Sequence, residues 1–126
     1  RISIYNNNAK HFMHIGETID GHNEVLIYDF KTNSYESYLK ESLKREDVRT
    51  RSGGMSQILP NGDLYIEETD FGRTLYFNYD GSLKWSYVNR SNNDSIYAIA
   101  WSRILYKEKD KQNVRSFLAN KVSCKK

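Results

Sequence analysis

The most regular segment of the chain runs from Gly54 to Asn89 and reads GMSQILPNGDLYIEETDFGRTLYFNYDGSLKWSYVN. Three tight-turn signals divide it into four short segments: Leu59-Pro60-Asn61-Gly62, Thr69-Asp70-Phe71-Gly72 and Asp80-Gly81. In such turns proline presets φ, and glycine accepts the positive φ that other residues avoid. The segments between the turns alternate polar and apolar side chains, which is typical of strands with one buried face. We therefore predict a complete four-stranded antiparallel meander over residues 53–89.

A single sheet of this kind cannot bury all of its large side chains. They are Leu64, Ile66, Leu75, Phe77, Leu83, Trp85 and Tyr87. A four-stranded sheet has to pack on another layer, and radial stacking of β-propeller blades meets that need. Trp85 is expected in the core, between blades. The predicted fold class is all-β, a partial β-propeller of antiparallel four-stranded blades.

The flanking residues predict incomplete blades on either side of the meander. Residues 1–43 hold three strand-like segments in the order Arg1–Tyr5, Glu24–Phe30 and Tyr35–Leu39. That order matches strands two to four of a preceding blade. Residues 95–107 open with an alternating apolar segment and predict the start of a following blade. Residues 1–107 are thus expected to form the propeller fragment.

Two further segments are predicted to lie outside the strands. Residues 40–51 are highly charged and contain no glycine or proline. They predict a connector between blades with one helical turn, and a full helix is the alternative. Residues 108–126 form a basic C-terminal tail, and apolar residues at helix-like spacing over 108–121 predict that it is partly helical.

Charge and composition argue against several classes of partner. From Lys107 to Lys126 the chain has seven basic and two acidic residues, whereas the residues before Lys107 include twelve basic and fourteen acidic ones. A nearly neutral folded part with a basic tail poor in aromatics predicts no nucleic-acid partner. No apolar run is long enough for a membrane span. No metal-ligand set, phosphate loop or Ser-His-Asp arrangement is present, so neither a metal nor a cofactor is predicted.

Three motifs, taken in order, resemble the closing blade of arylsulfotransferase-type propellers. They are Gly54–Leu64, Gly72–Phe77 and Asp80–Asn89. The segment Ile2–Ala9 is similar to the family's aliphatic strand that ends in Asp-Asn-Ala, with Asn6 in place of the usual Asp. The resemblance covers residues 1–105 and identifies them as C-terminal blades.

The resemblance implies transfer of a sulfuryl group from an aryl sulfate to a phenol, without a nucleotide sulfate donor. A histidine in the central channel is the transient acceptor, and fixed cations neutralise the transferring group. The family's histidine is expected in a Gln-His pair on the strand before Ile2–Tyr5, upstream of Arg1, so no catalytic residue is predicted here. The implied partner is the rest of the chain's own propeller, its N-terminal blades, or another chain. The implied location is periplasmic or secreted.

Four residues are candidates for substrate binding: Asn7, His14, Gln57 and Arg73. Asn7 matches the family's Asp-Asn pair, and His14 lies in a loop that could line a substrate entrance; turn formation and an ordinary loop histidine are the alternatives. Gln57, on the predicted innermost strand, reaches the channel or else a neighbouring blade. Arg73 contacts sulfate or else bonds turn carbonyls while its stem packs. The alternative function is a non-catalytic β-propeller that binds a ligand or a protein.

Overall fold

The computed structural model describes residues 1–7 and 21–121. The first sheet contains three antiparallel strands in the order β1-β2-β3. They are β1 (Ile2–Asn6), β2 (Glu24–Asp29) and β3 (Ser34–Tyr38). Each predicted strand of the first sheet is present, with ends within one residue of those expected.

The second sheet is the predicted four-stranded meander, with strand order β4-β5-β6-β7 and antiparallel pairing throughout. Its strands are β4 (Met55–Ile58), β5 (Leu64–Glu68), β6 (Arg73–Phe77) and β7 (Leu83–Val88). Gly62 and Gly81 have φ of 86° and 84°. As the sequence predicts, the turns that follow β4 and β6 place glycine where a positive φ is required.

One hydrophobic core joins the two sheets. Its fully buried members come from β2, β5, β6 and the connector between the sheets: Val25, Leu43, Val48, Leu64, Ile66, Leu75 and Phe77. The connector contains a short helix, α1 (Lys40–Arg45), which begins after Leu39 in the left-handed conformation. Leu43 points from α1 into the core. The single helical turn expected in this connector is therefore present and has a packing role.

The outer face of each sheet still carries exposed apolar side chains. In the first sheet Ile2 and Ile4 are 47% and 45% exposed. In the second sheet Trp85 is 38% exposed and stacks on Tyr76, with ring centroids 5.5 Å apart. Trp85 is thus not part of the core between these two sheets, because strand alternation places it on the face opposite Leu75 and Phe77.

Residues 89–107 follow the second sheet without forming a strand, apart from a single bridge between Arg90 and Ile96. The assignment of residues 95–107 to a following blade stays a prediction. Residues 100–106, here called the strap, contact side chains of β4 and β5. Helix α2 (Glu108–Lys121) comes next and confirms the helical part of the tail.

The fold class is confirmed: the described residues, 1–7 and 21–121, form two antiparallel sheets with few helices, as in part of a β-propeller. Across residues 1–7 and 21–121, no helix combines the length and apolar character needed to cross a membrane.

Candidate functional site

Gln57 and Arg73, two of the four predicted binding residues, do not lie at one site. Asn7 follows β1 and is half-buried, whereas His14 lies outside the described residues. Gln57 is on β4, and Arg73 is the first residue of β6. Gln57 pairs with Tyr65, and Arg73 pairs with Glu68. Because successive residues of β5 point to opposite faces, Gln57 and Arg73 lie on opposite faces of the second sheet.

The Gln57 side chain is hydrogen-bonded to the strap. Its side-chain nitrogen donates to the Ile104 carbonyl at 3.2 Å, and its side-chain oxygen accepts from the Ile104 amide at 3.0 Å. The amide side chain thereby satisfies both backbone groups of Ile104, as a neighbouring strand would. A role for Gln57 in substrate binding stays a prediction, and it would require this pair of bonds to open.

Glu67 is the second anchor of the strap and is 2% exposed. Its Oε2 accepts from the Ser102 amide at 2.7 Å and from the Ser102 hydroxyl. Its Oε1 accepts from the Trp101 amide at 3.2 Å and from the Thr69 hydroxyl at 3.3 Å. Tyr65 adds a hydroxyl contact to Ser102 at 2.5 Å. A buried carboxylate needs such donors, so these bonds hold the strap on the sheet.

Arg73 lies in an ion pair on the other face. Its Nε donates to Glu68, which is fully buried, and its Nη2 donates to the carbonyl oxygens of Glu46 and Asp47 at 3.0 and 3.3 Å. The Glu68 carboxylate raises the pKa of the Arg73 guanidinium above its ordinary value, chiefly through this hydrogen bond. Glu68 also accepts from the Arg49 amide at 2.5 Å. These contacts match the structural alternative for Arg73, and sulfate contact stays a prediction.

The cleft that contains Arg73 is close to electrically balanced. Its charged lining consists of Glu46, Asp47 and Glu68 together with Arg49, Arg73 and Arg90. Equal numbers of acidic and basic groups leave little net field to attract an anion. The cleft therefore lacks the excess of cations that a transferring sulfuryl group would need.

The turn between β4 and β5 is organised around Asp63, which is 5% exposed. Its carboxylate accepts from the Tyr76 hydroxyl at 2.8 Å, the Asn61 amide at 2.8 Å and the Tyr79 backbone amide at 3.0 Å. These donors, Tyr76 first, hold the pKa of Asp63 below its usual range. Burial, and then the bond to Asp63, raises the pKa of Tyr76 to about 12. The cluster fixes the turn and offers no titrating acid or base near neutrality.

Sequence reasoning missed two buried, hydrogen-bonded carboxylates, Glu67 and Glu68. They are adjacent on β5, so one serves each face of the sheet. The signal was available, because two acidic residues at the end of an apolar strand must find donors once buried. Two of their partners, at positions 49 and 102, are remote in sequence and could not be identified from it. Over residues 1–7 and 21–121, no group of three or more His, Cys, Asp or Glu could hold a metal.

The two antiparallel sheets and the tight turns between their strands define an all-β fold consistent with part of a β-propeller. The model of the arylsulfotransferase (ASST) family matches residues 1–90, a range that includes both sheets. The chain belongs to the arylsulfotransferase family. No curated protein and no solved structure matches the chain significantly.

Proposed function

We propose that this chain forms blades of an arylsulfotransferase-type β-propeller that transfers a sulfuryl group from an aryl sulfate to a phenol. In this proposal residues 1–43 and 53–89 are neighbouring blades near the C-terminal end of the propeller, and residues 95–107 begin the next. The chain supplies the wall of the channel, and a histidine outside residues 1–126 carries the sulfuryl group.

The observation that carries the proposal is the family match over residues 1–90, which includes every strand of both sheets. Two features of the fold support it. The sheets pack face to face through one core, as successive blades do. Both outer faces keep exposed apolar side chains, which suits further stacking on either side.

The proposed reaction proceeds in two half-reactions. First, a histidine nitrogen attacks sulfur, an N–S bond forms, the S–O bond to the aryl group breaks, and the first phenol leaves. Then the acceptor phenol loses its proton, which the departed phenolate takes up through solvent, and its oxygen attacks sulfur; the N–S bond breaks, the new aryl sulfate forms and the histidine is free again. Cations stabilise the sulfuryl oxygens in both steps, and they are expected on the blades that carry the histidine.

A specific observation favours a second candidate, a non-catalytic propeller scaffold. Both polar candidates with described partners are engaged within the fold: Gln57 holds the strap, and Arg73 neutralises Glu68. A scaffold needs no more than this. The two candidates differ only in whether a histidine stands in the central channel.

The test is a transfer assay on the intact protein, with 4-nitrophenyl sulfate as donor and phenol as acceptor. Release of 4-nitrophenol matched by formation of phenyl sulfate supports the enzyme. Substitution of the histidine of the expected Gln-His pair by glutamine should abolish transfer, whereas the matched variant His22→Gln should retain it. Absence of transfer in well-folded intact protein supports the scaffold.

A further inference from the structure

The strap is attached to the second sheet without a backbone ladder. Among the described residues, no backbone-to-backbone hydrogen bond involves residues 100–106. The side chains of Gln57, Tyr65 and Glu67 bond the strap to β4 and β5 instead. The strands beneath keep their own antiparallel pairing. The strap can therefore leave the sheet without breaking any ladder bond of the sheet.

The attached strap contains a strained residue. Trp101 has φ of 64°, in the left-handed region that residues with a Cβ avoid. Packing does not explain this conformation, because Trp101 is 84% exposed even though the Arg103 guanidinium lies 5.9 Å from its ring centroid. The Trp101 amide, however, donates to Oε1 of Glu67 at 3.2 Å. The bond to Glu67 thus holds Trp101 in an unfavourable conformation, which weakens the attachment.

The two attachment points lie on one side of the strap. Ser102 and Ile104 are half-buried, whereas the residues at positions 101, 103 and 105 are exposed. A period of two residues is that of a β-strand, and the sequence of residues 95–107 predicts a strand as well. One movement away from the sheet therefore releases both points together, and it leaves a segment whose pattern already suits pairing with another strand.

The attached strap also buries a charge. Glu67 is 2% exposed, and three of its donors belong to the strap: the amides of Trp101 and Ser102 and the Ser102 hydroxyl. These three donors leave with the strap, whereas the Thr69 hydroxyl stays. Water that enters replaces them, so opening does not leave a buried carboxylate without donors. Opening therefore costs less than exposure of the apolar core between the sheets.

We propose that the strap is a two-state conformational device, which opens and closes as one unit while both sheets stay folded. Gln57 and Glu67 hold it closed, and the left-handed Trp101 favours opening. Opening uncovers the Glu67 carboxylate on the face of β4 and β5 and frees the backbone of the strap to pair with another strand. The proposal does not rest on sulfuryl transfer, because strap motion is measured without a sulfate donor.

The first experiment is hydrogen–deuterium exchange of the intact protein, followed by mass spectrometry of peptides. The amides of residues 100–106 should exchange at least about tenfold faster than those of β5 (Leu64–Glu68), because only β5 depends on opening of the sheet. Low concentrations of urea should accelerate exchange in β5 and leave exchange in the strap nearly constant, since strap opening exposes little surface. Equal rates and an equal response to urea would refute independent opening.

The second experiment isolates the strain at Trp101 with a matched pair of variants. Trp101→Gly and Trp101→Ala both remove the indole ring, but only glycine adopts a φ of 64° without a Cβ penalty. The strap should exchange about fivefold more slowly in Trp101→Gly than in Trp101→Ala, because the closed state is relieved of strain. Equal exchange in the two variants, or faster exchange with glycine, would refute the role of Trp101.

The third experiment removes one attachment point. Gln57→Leu deletes both bonds to Ile104 and keeps a side chain of similar size. Exchange of residues 100–106 should rise about tenfold, because each lost bond contributes modestly to the closed state. Exchange of β5 should remain that of the parent. An equal rise in the strap and in β5 would show that the strap opens only together with the sheet and would overturn the proposal.

Discussion

Replacement of Arg73 by methionine separates a structural role from sulfate binding. Methionine keeps much of the unbranched stem and removes the guanidinium. The Glu68 carboxylate, fully buried, would then lose its cation and keep the Arg49 amide as a donor. The carbonyl oxygens of Glu46 and Asp47 would lose a donor as well.

The expected loss follows from the burial of the pair. Removal of one partner of a buried ion pair costs about 3–5 kcal/mol, because a charge remains without compensation. The Arg73 side chain is 27% exposed, so water screens part of the interaction. The Arg49 amide also continues to stabilise Glu68. We therefore expect the low end of that range, about 3 kcal/mol off the free energy of unfolding.

Urea denaturation followed by far-ultraviolet circular dichroism measures this loss. The double variant Glu68→Gln/Arg73→Met is the control, because glutamine can still accept from the Arg49 amide without leaving a buried charge. It should recover most of the stability and remain about 1 kcal/mol below the parent. A loss under about 1 kcal/mol in Arg73→Met, combined with lost sulfuryl transfer, would refute the structural role and favour a sulfate contact.

Three further changes test the fold. Leu43→Ala should lower the free energy of unfolding by about 2–5 kcal/mol because it opens a cavity in the core between the sheets. Leu118→Ala, on the exposed face of α2, should cost far less. Equal losses of stability for the two variants in urea denaturation would contradict that core. The pKa of Asp63 is lowered mainly by the Tyr76 hydroxyl, so its contribution is present at neutral pH and fades as pH falls below about 4. Asp63→Asn should therefore be less stable at pH 7, and the gap should close on acidification; a constant gap would contradict the assignment. Gly81→Ala should lower the stability of the protein by more than about 1 kcal/mol, because φ at this position is 84° and the new Cβ would lie 2.4 Å from the Ser42 hydroxyl oxygen of α1. A thermal melt measures this loss, and an unchanged melting temperature would contradict the geometry.

The second sheet was predictable because its information is local. Alternating side chains and the turns at Pro60-Asn61-Gly62 and Asp80-Gly81 specify strands and register together. Both ends of each observed strand of this sheet lie within two residues of the predicted ends. The family match is consistent with the same motifs, since it covers both sheets.

The candidate site was far less predictable, because its bonds join residues remote in sequence. The alternating segment from Ser95 to Trp101 favoured a strand, yet the neighbouring strap is held by side chains of Gln57 and Glu67 in place of a backbone ladder. Sequence pattern reports periodicity and carries no information on which buried carboxylate will meet which amide. Trp85 was expected in the core between blades, whereas in the structure it lies on the outer face of the second sheet and is 38% exposed.

We propose above that this chain forms blades of a sulfuryl-transferring propeller whose nucleophilic histidine lies outside residues 1–126. The most direct measurement is peptide mapping by mass spectrometry of intact protein treated with 4-nitrophenyl sulfate in the absence of an acceptor. We expect a sulfuryl group on a histidine outside residues 1–126, and we expect it to be lost again when phenol is added. A sulfuryl group on a residue of this chain, released to phenol in the same way, would contradict it.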